Sequence, residues 1–351
     1  MIQIDDFIIG KNSPVFIIAE LSANHNQNKQ IAIDTIRAAR QTGANAIKLQ
    51  TYTPDTLTID CDNVHFRIQE DTLWDGKTLY ELYGEAYTPW EWHEDLFRVA
   101  KEEGLICFSS PFDFSSVDFL EKLNVPAYKI ASFEIQDIPL IDYVARKGKP
   151  VIMSTGIATE TDIQLAVDTC RKAGNDQIIL LKCTSSYPAP VELANMKTMV
   201  DMAKRFQTQV GLSDHTMGNT VPLVAVSLGA RVIEKHFILD KSIGGPDASF
   251  SLDVTEFRAM VEAVREAEKA LGKVSYELSA KVEKNRKFAR SLFVVADIKA
   301  GEEFTNENVR SIRPGYGLHP KYYNQVIGKH ATCDIIKGTP LESEHIQTQL
   351  N

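Results

Sequence analysis

The sequence predicts an α/β protein: a (β/α)8 TIM barrel followed by a small β-rich C-terminal domain. Three observations carry that prediction. Eight short β-rich runs recur over the first three-quarters of the 351-residue chain, helical patterns separate them, and the character changes after a charged connector at 273–287. Alternating strands and helices imply a parallel sheet, and eight of each imply its closure into a barrel. At about 150 residues per domain, the length allows roughly two domains.

The eight runs are Val15–Glu20, Asn45–Gln50, Leu105–Ser109, Ala127–Ala131, Pro150–Ser154, Gln177–Cys183, Gln209–Ser213 and Arg231–His236. They are mostly continuous apolar runs, as strands covered on both faces should be. Helical spacing covers 30–41, 90–103, 139–146, 159–173, 195–206 and 219–228, with a final helix over about 253–271. Thr159 and Thr161 stand just before an amphipathic run and suit a helix start. Successive strand starts lie 22 to 32 residues apart, except for a step of 60 between the second and third. An insertion of about 30 residues within 51–89, rich in Asp, Thr and aromatics, fills that gap, and insertions of this length are usually functional or lid-like.

The predicted boundaries are a barrel over 1–272, a linker over 273–287 and a terminal domain over 288–351. The terminal domain contains an internal echo. Asp297-Ile-Lys-Ala-Gly301 through Val309 matches Asp334-Ile-Ile-Lys-Gly338 through Ile346 at an offset of 37 residues. Two copies of one β-turn-helix unit predict a pseudo-symmetric fold.

With 44% hydrophobic and 24% charged residues, the chain is neither disordered nor collagen-like nor a disulfide-rich miniprotein. A net charge of −9 without a dense basic block argues against a general nucleic-acid binder, while leaving room for a local basic pocket that takes a small anion. No apolar run reaches the 18 or so residues of a membrane span, and the first residues lack the pattern of a signal peptide. The five cysteines (Cys61, Cys107, Cys170, Cys183 and Cys333) are scattered without CxxC spacing, so reduced thiols in the cytosol are expected.

In a barrel of this type the active site lies at the C-terminal ends of the strands. Here those ends carry Glu20, Lys48 with Gln50, Ser109 with Ser110, Lys129 with Ser132 and Glu134, Ser154, Cys183 to Tyr187, Ser213 to His215, and Glu234 to His236. Loops are wet, which explains one or two such clusters. Two apolar-flanked lysines and four hydroxyl-rich ends ask for more: a buried lysine needs an anionic partner. Lysines, hydroxyls and glycine-flanked N–H groups suit a phosphate or carboxylate. Neither a Walker A nor a GxGxxG motif is present.

His215 and His236 end neighbouring strands, where backbones lie about 5 Å apart. They are either structural or a pair on one divalent metal, with Mn, Fe, Co and Zn all open. His25 reads as a packing residue. Glu20 and Glu134 are either acid–base groups or the salt-bridge partners of Lys48 and Lys129. Cys183 has no His or Asp beside it in sequence, so a thiol nucleophile is not expected.

These residues fall in segments that resemble the sialic acid synthases: AELSANHNQ (19–27), IKLQTY (47–52), FSSPFD (108–113), YKIASFE (128–134), CTSSYP (183–188), GLSDHT (211–216), EKHF (234–237), GGPDASFSL (244–252) and IRPGYGLHP (312–320). The tail resembles that family's antifreeze-like (SAF) domain. The resemblance implies condensation of phosphoenolpyruvate with an amino sugar. It implies that His215 and His236 bind the metal, Mn2+ with Mg2+ or Co2+ as alternatives. Lys48, Lys129, Ser132, Ser154, Ser185 and Ser213 would hold phosphoenolpyruvate, Glu20, Gln50, Tyr187 and Asp247 would face the sugar, and Glu134 is the implied acid/base. Arg313 would reach over a neighbouring subunit's barrel in a homodimer.

Two departures bear on the sugar. N-acetylneuraminate synthases more often read Glu-Ala-Gly-x-Asn-His and Cys-Thr-Asn-x-Tyr-Pro, where this chain has Leu21-Ser22 and Ser185. The implied sugar is 2,4-diacetamido-2,4,6-trideoxy-L-altrose, with an N-acetylneuraminate or legionaminic acid synthase as the same-class alternative. A class I aldolase using Lys129 as a Schiff-base amine and a non-catalytic sugar-binding protein are the rivals from other classes.

Overall fold

The chain opens with an element that the sequence reading missed, an antiparallel hairpin of β1 (Ile2–Ile4) and β2 (Phe7–Ile9). The structure, a computed structural model, describes residues 1–69 and 74–347. It divides into two units, Met1–Gly272 and Lys273–Asn351.

In the first unit, eight parallel strands close into a barrel: β3 (Phe16–Glu20), β4 (Ala46–Thr51), β5 (Ile106–Pro111), β6 (Tyr128–Ile130), β7 (Val151–Ser154), β8 (Ile178–Cys183), β9 (Gln209–Asp214) and β10 (Val232–His236), with β10 pairing β3. Each strand feeds a covering helix. They are α1 (Lys29–Gln41), α4 (Trp90–Glu102), α5 (Phe114–Lys122), α6 (Ile138–Ala145), α7 (Glu160–Lys172), α8 (Lys197–Phe206), α9 (Thr220–Ser227) and α10 (Val254–Leu271). The short helices α2 (Pro54–Leu57) and α3 (Leu79–Ala86) belong to the insertion after β4. Thr159 caps α7: its Oγ accepts from the Asp162 amide while Asp162 reaches back to the Thr159 N–H. That reciprocal pairing satisfies two donors the first turn would otherwise leave bare.

Strand side chains alternate between faces. Outward residues such as Ile17, Ile47, Tyr128, Val151, Leu180 and Ile233 pack beneath the helices. Inward residues form a second cluster, with Phe16, Ile18, Ala46, Phe108, Ile152, Leu181 and Val232 meeting Ile2, Ile4 and Ile9 of the hairpin. The hairpin thus packs on the apolar lower layer of the barrel interior. One step further along each strand the inward residues turn polar. This divides the interior into a dry floor and a charged upper layer. Register sets His236, Glu20 and Lys48 level on adjacent strands.

The second unit contains α11 (Ala280–Asn285), an antiparallel pair β11 (Ser291–Val294) and β12 (Val309–Ile312), and α12 (Tyr323–Val326), around a core that includes Leu292, Phe304, Val309, Ile335 and Leu341. The echo is a physical pseudo-twofold. Ile298 and Ile335 exchange both backbone hydrogen bonds, at 2.9 and 2.8 Å. The Asp297 carboxylate accepts from the Lys337 amide and Asp334 from the Ala300 amide, each at 2.8 Å. The helical half of the expected unit is corrected. In the first copy Thr305–Asn308 is a turn closed by the Asn308 side chain on the Thr305 amide, and in the second only Ser343–His345 winds, as a single 3₁₀ turn. Thr, Asn and Ser side chains there compete with helical backbone pairing.

Candidate functional site

Of the candidate residues, the upper layer of the barrel brings Glu20, Lys48, Lys129, Ser154 and Ser213 into one charged network. Lys48 Nζ lies 3.0 Å from Glu20 Oε2, 3.4 Å from Glu234 Oε2 and 3.4 Å from Ser110 Oγ. Lys129 donates to Ser154 Oγ at 2.8 Å and lies 3.6 Å from Glu234 Oε1, which also accepts from Ser213 Oγ at 2.9 Å. Lys129 and Lys48 are only 1% and 3% exposed and Glu234 4%. Glu234 therefore bridges both lysines, a role that sequence reasoning did not assign to it. The signal was present as Glu234-Lys235-His236, but three polar residues in a row do not say which two face inward.

Lys235, between them, points the other way. It forms an ion pair with Asp214 at 2.5 Å and donates to the Thr216 carbonyl. These two charges brace the ends of β9 and β10.

Charge balance follows the geometry. Burial pushes Glu234 up, but Lys129 and Lys48 outweigh it and hold the carboxylate below its ordinary range. Burial raises Glu20 to about 7, opposed by Lys48 and reinforced by the Glu234 charge. Burial opposes protonation of Lys48, yet Glu20 and Glu234 keep its pKa raised, whereas burial wins at Lys129 and lowers it. The pair of carboxylates thus shares two ammonium groups, with Glu234 the firmly ionised partner.

Above this network lies a cavity of about 420 Å3, lined among others by Ser22, Gln50, Ser132, Glu134, Tyr187, His236 and Asp247. Glu20 lies outside its lining and reaches it through Gln50, whose Nε2 donates to Glu20 Oε1 at 3.0 Å and to Ser22 Oγ at 2.9 Å. Ser22 in turn donates to Asp247 Oδ2 at 2.5 Å. Ser22 is buried and sits at φ 47°, a left-handed conformation that costs a serine roughly 1 kcal/mol, here held by these hydrogen bonds. Glu134 follows β6 in a single 3₁₀ turn. Burial raises it to about 7 against the pull of Lys129, and its Oε2 is buried without a hydrogen-bond partner.

Ser185 donates to Ser132 at 2.9 Å beside Gly156. A Cβ at Gly156 would stand 2.1 Å from Ser185 Oγ and 2.6 Å from Ser132 Oγ. A side chain at this position would collide with both hydroxyls, so glycine lets the Ser132–Ser185 pair pack against the backbone at the end of β7.

His215 and His236 face each other with ring centroids 5.3 Å apart, enclosed by Phe250 and, on His215, by Tyr187. His215 Nδ1 lies 3.0 Å from the Thr184 carbonyl, so Nδ1 carries the proton and Nε2 presents its lone pair. His236 Nδ1 is buried without a hydrogen-bond partner, 3.8 Å from Asp247 Oδ2, and burial with His215 and Lys48 nearby keeps the ring neutral. Two facing imidazoles, His236 neutral with an orphaned nitrogen, fit the donor chemistry of a divalent metal; at His215 burial opposes protonation, but Cys183 and the Thr184 carbonyl raise its pKa. Among the described residues, no group of three or more His, Cys, Asp and Glu side chains is placed to hold an ion unaided, so further positions would fall to water or substrate.

Cys183 is corrected in its surroundings. Its Sγ lies 3.8 Å from His215 Nδ1, a neighbour that local sequence could not show. His25 packs, its Nε2 3.1 Å from Thr88 Oγ1 and its ring edge-on to Trp92. Arg313 is exposed on the second unit. No helix among the described residues is long and apolar enough to cross a membrane.

The NeuB family sequence model matches residues 35–276 and the SAF domain model residues 289–347. The chain is 51% identical over 345 residues to a protein of Campylobacter jejuni named pseudaminic acid synthase, covering 98% of this chain and 100% of that relative. It is 37% identical over 343 residues to N,N'-diacetyllegionaminic acid synthase of Legionella pneumophila, covering 96% of each. The crystal structure of an N-acetylneuraminic acid synthetase from Leptospira borgpetersenii superposes with a TM-score of 0.71 at 31% identity, over 81% of this chain and 94% of that one.

Proposed function

The chain belongs to the NeuB family, and from that premise we propose that it condenses phosphoenolpyruvate with 2,4-diacetamido-2,4,6-trideoxy-L-altrose and water, giving pseudaminic acid and phosphate. The observation that carries the chemistry is the convergence of Lys48 and Lys129 on Glu234, within 3.6 Å, beside a facing histidine pair. The identity of 51% to a pseudaminic acid synthase, against 37% to a legionaminic acid synthase, supports the choice of sugar.

In this reading C3 of phosphoenolpyruvate attacks the sugar aldehyde, water adds at C2, and phosphate departs with C–O cleavage. Lys48, Lys129, Ser154 and Ser213 bind the phosphate and carboxylate, with the Ser132–Ser185 hydroxyl pair as further donors. Glu234 keeps both lysines charged and aimed. Glu134, poised near pH 7 on the cavity wall, gives a proton to the forming alkoxide or takes one from the attacking water. Glu20 acts through Lys48 and Gln50. Gln50, Tyr187 and Asp247 orient the sugar. His215 and His236 would hold a divalent metal, with Mn2+ the first candidate and Mg2+ or Co2+ alternatives, and when bound it would polarise the aldehyde as a Lewis acid.

Arg313 is assigned to a homodimer in which the terminal domain of one chain caps the partner's barrel. The class I aldolase reading loses ground because a Schiff-base mechanism has no use for the facing histidine pair, His215 and His236, beside the lysines.

The test is product analysis by NMR and mass spectrometry with phosphoenolpyruvate and a panel of amino sugars, with and without EDTA. Pseudaminic acid formed in a chelator-sensitive reaction is expected. A better kcat/KM with N-acetylmannosamine would overturn the sugar assignment, and Schiff-base trapping without phosphate release would overturn the chemistry.

A further inference from the structure

The cavity has two unlike walls. One is the polar set already described. The other is apolar and comes largely from the insertion after β4: Leu57, Ile68, Leu79, Leu82 and Tyr83, with Phe133 from the turn after β6. Leu57, Ile68, Leu79 and Tyr83 are only partly buried and Phe133 is 60% exposed. A surface loop that existed only to connect β4 to α4 would turn such side chains into the core or replace them with polar ones. The insertion is also built to hold them in place. Thr78 and Glu81 form a reciprocal cap on α3, and Tyr52 meets Tyr83 edge-on at 5.8 Å.

We propose that this insertion is the specificity element of the site, an apolar wall that receives the methyl groups of a deoxygenated, doubly acetylated sugar. The inference rests on the function proposed above and names what selects its substrate. The two acetamido groups and the C6 methyl of 2,4-diacetamido-2,4,6-trideoxy-L-altrose offer three methyls. N-acetylmannosamine offers one, and places hydroxyls at C4 and C6. A hydroxyl against Leu79 or Ile68 gives up its water without gaining a partner. The polar wall of Gln50, Ser22 and Asp247 is left to bind the remaining hydroxyls and the aldehyde end.

The experiment compares kcat/KM for the 6-deoxy sugar and its 6-hydroxy counterpart of the same configuration, in the wild-type chain and in the Leu79→Ser and Ile68→Ser variants, with Leu79→Met and Ile68→Val as conservative controls. Wild type should favour the 6-deoxy sugar by about 10- to 100-fold, the range in which an apolar pocket rejects an added hydroxyl. Each serine variant should lose about 10-fold on the 6-deoxy sugar and less on the 6-hydroxy sugar, so that the ratio narrows, while KM for phosphoenolpyruvate stays within about twofold. The conservative controls should keep the wild-type ratio. An unchanged ratio in both serine variants, with phosphoenolpyruvate KM intact, overturns the inference but leaves the synthase reading standing. Absence of phosphate release from wild type with every amino sugar overturns that reading, and the inference with it.

Discussion

Glu234→Gln removes one negative charge from between two buried ammonium groups while keeping an acceptor for Ser213. In the wild type Glu234, the firmly ionised carboxylate, stands between Lys48 and Lys129; in the variant Glu20 alone is left to face them. Breaking a buried pair by removing one partner costs roughly 3–5 kcal/mol, because the other charge is left uncompensated. For a unit of this size each kcal/mol shifts Tm by about 2 °C or slightly more, so a fall of about 6–10 °C is expected. The assay is thermal unfolding by circular dichroism near neutral pH. The same physics makes a second demand. An anion entering the variant site restores the missing charge, so inorganic phosphate should raise Tm more in Glu234→Gln than in wild type, by mass action on the folded state. A variant that melts within 2 °C of wild type, or gains no more from phosphate than wild type does, would refute the bridging role.

Lys129→Met should raise KM for phosphoenolpyruvate by about 10- to 150-fold, the value of one charge-assisted contact at 1.5–3 kcal/mol, with sugar KM little changed; an unchanged phosphoenolpyruvate KM puts the anion elsewhere. Glu134, raised to about 7 by burial, keeps its proton in the folded chain over the window from about 4.5 to 7 in which the unfolded chain releases it. The stability it contributes is therefore whole below about 4.5 and is lost as pH rises through about 7, and Glu134→Gln should lessen the decline in urea midpoint between pH 5 and 7.5; an identical slope would contradict the raised value. Refolding inactive His236→Ala chains together with inactive Arg313→Ala chains should recover part of the activity, since one site of a mixed dimer would pair an intact barrel with the partner's arginine. Mixed dimers that form without recovering activity would place Arg313 outside the partner's site.

The sequence by itself determined the barrel, because strands covered on both faces must be apolar almost throughout, and eight such runs separated by amphipathic helices have few other ways to bury themselves. It also determined the pseudo-symmetry of the tail. A 37-residue echo places glycines at Gly301 and Gly338, both at positive φ, and isoleucines at Ile298 and Ile335, which the fold then pairs with each other. The same continuous apolarity that reveals the strands hides their phase. Nothing in Ile233-Glu234-Lys235-His236 says that Glu234 and His236 face the interior while Lys235 turns out to Asp214, and one residue of slip would exchange them. Closure of the barrel and the apolar floor packed on the N-terminal hairpin decide that phase. With it they decide that Glu234 bridges the lysines, that Cys183 meets His215, and that Glu20 meets Gln50 of the cavity lining. These are contacts between residues about 20 to 190 positions apart in the chain, and only tertiary packing brings their side chains within reach.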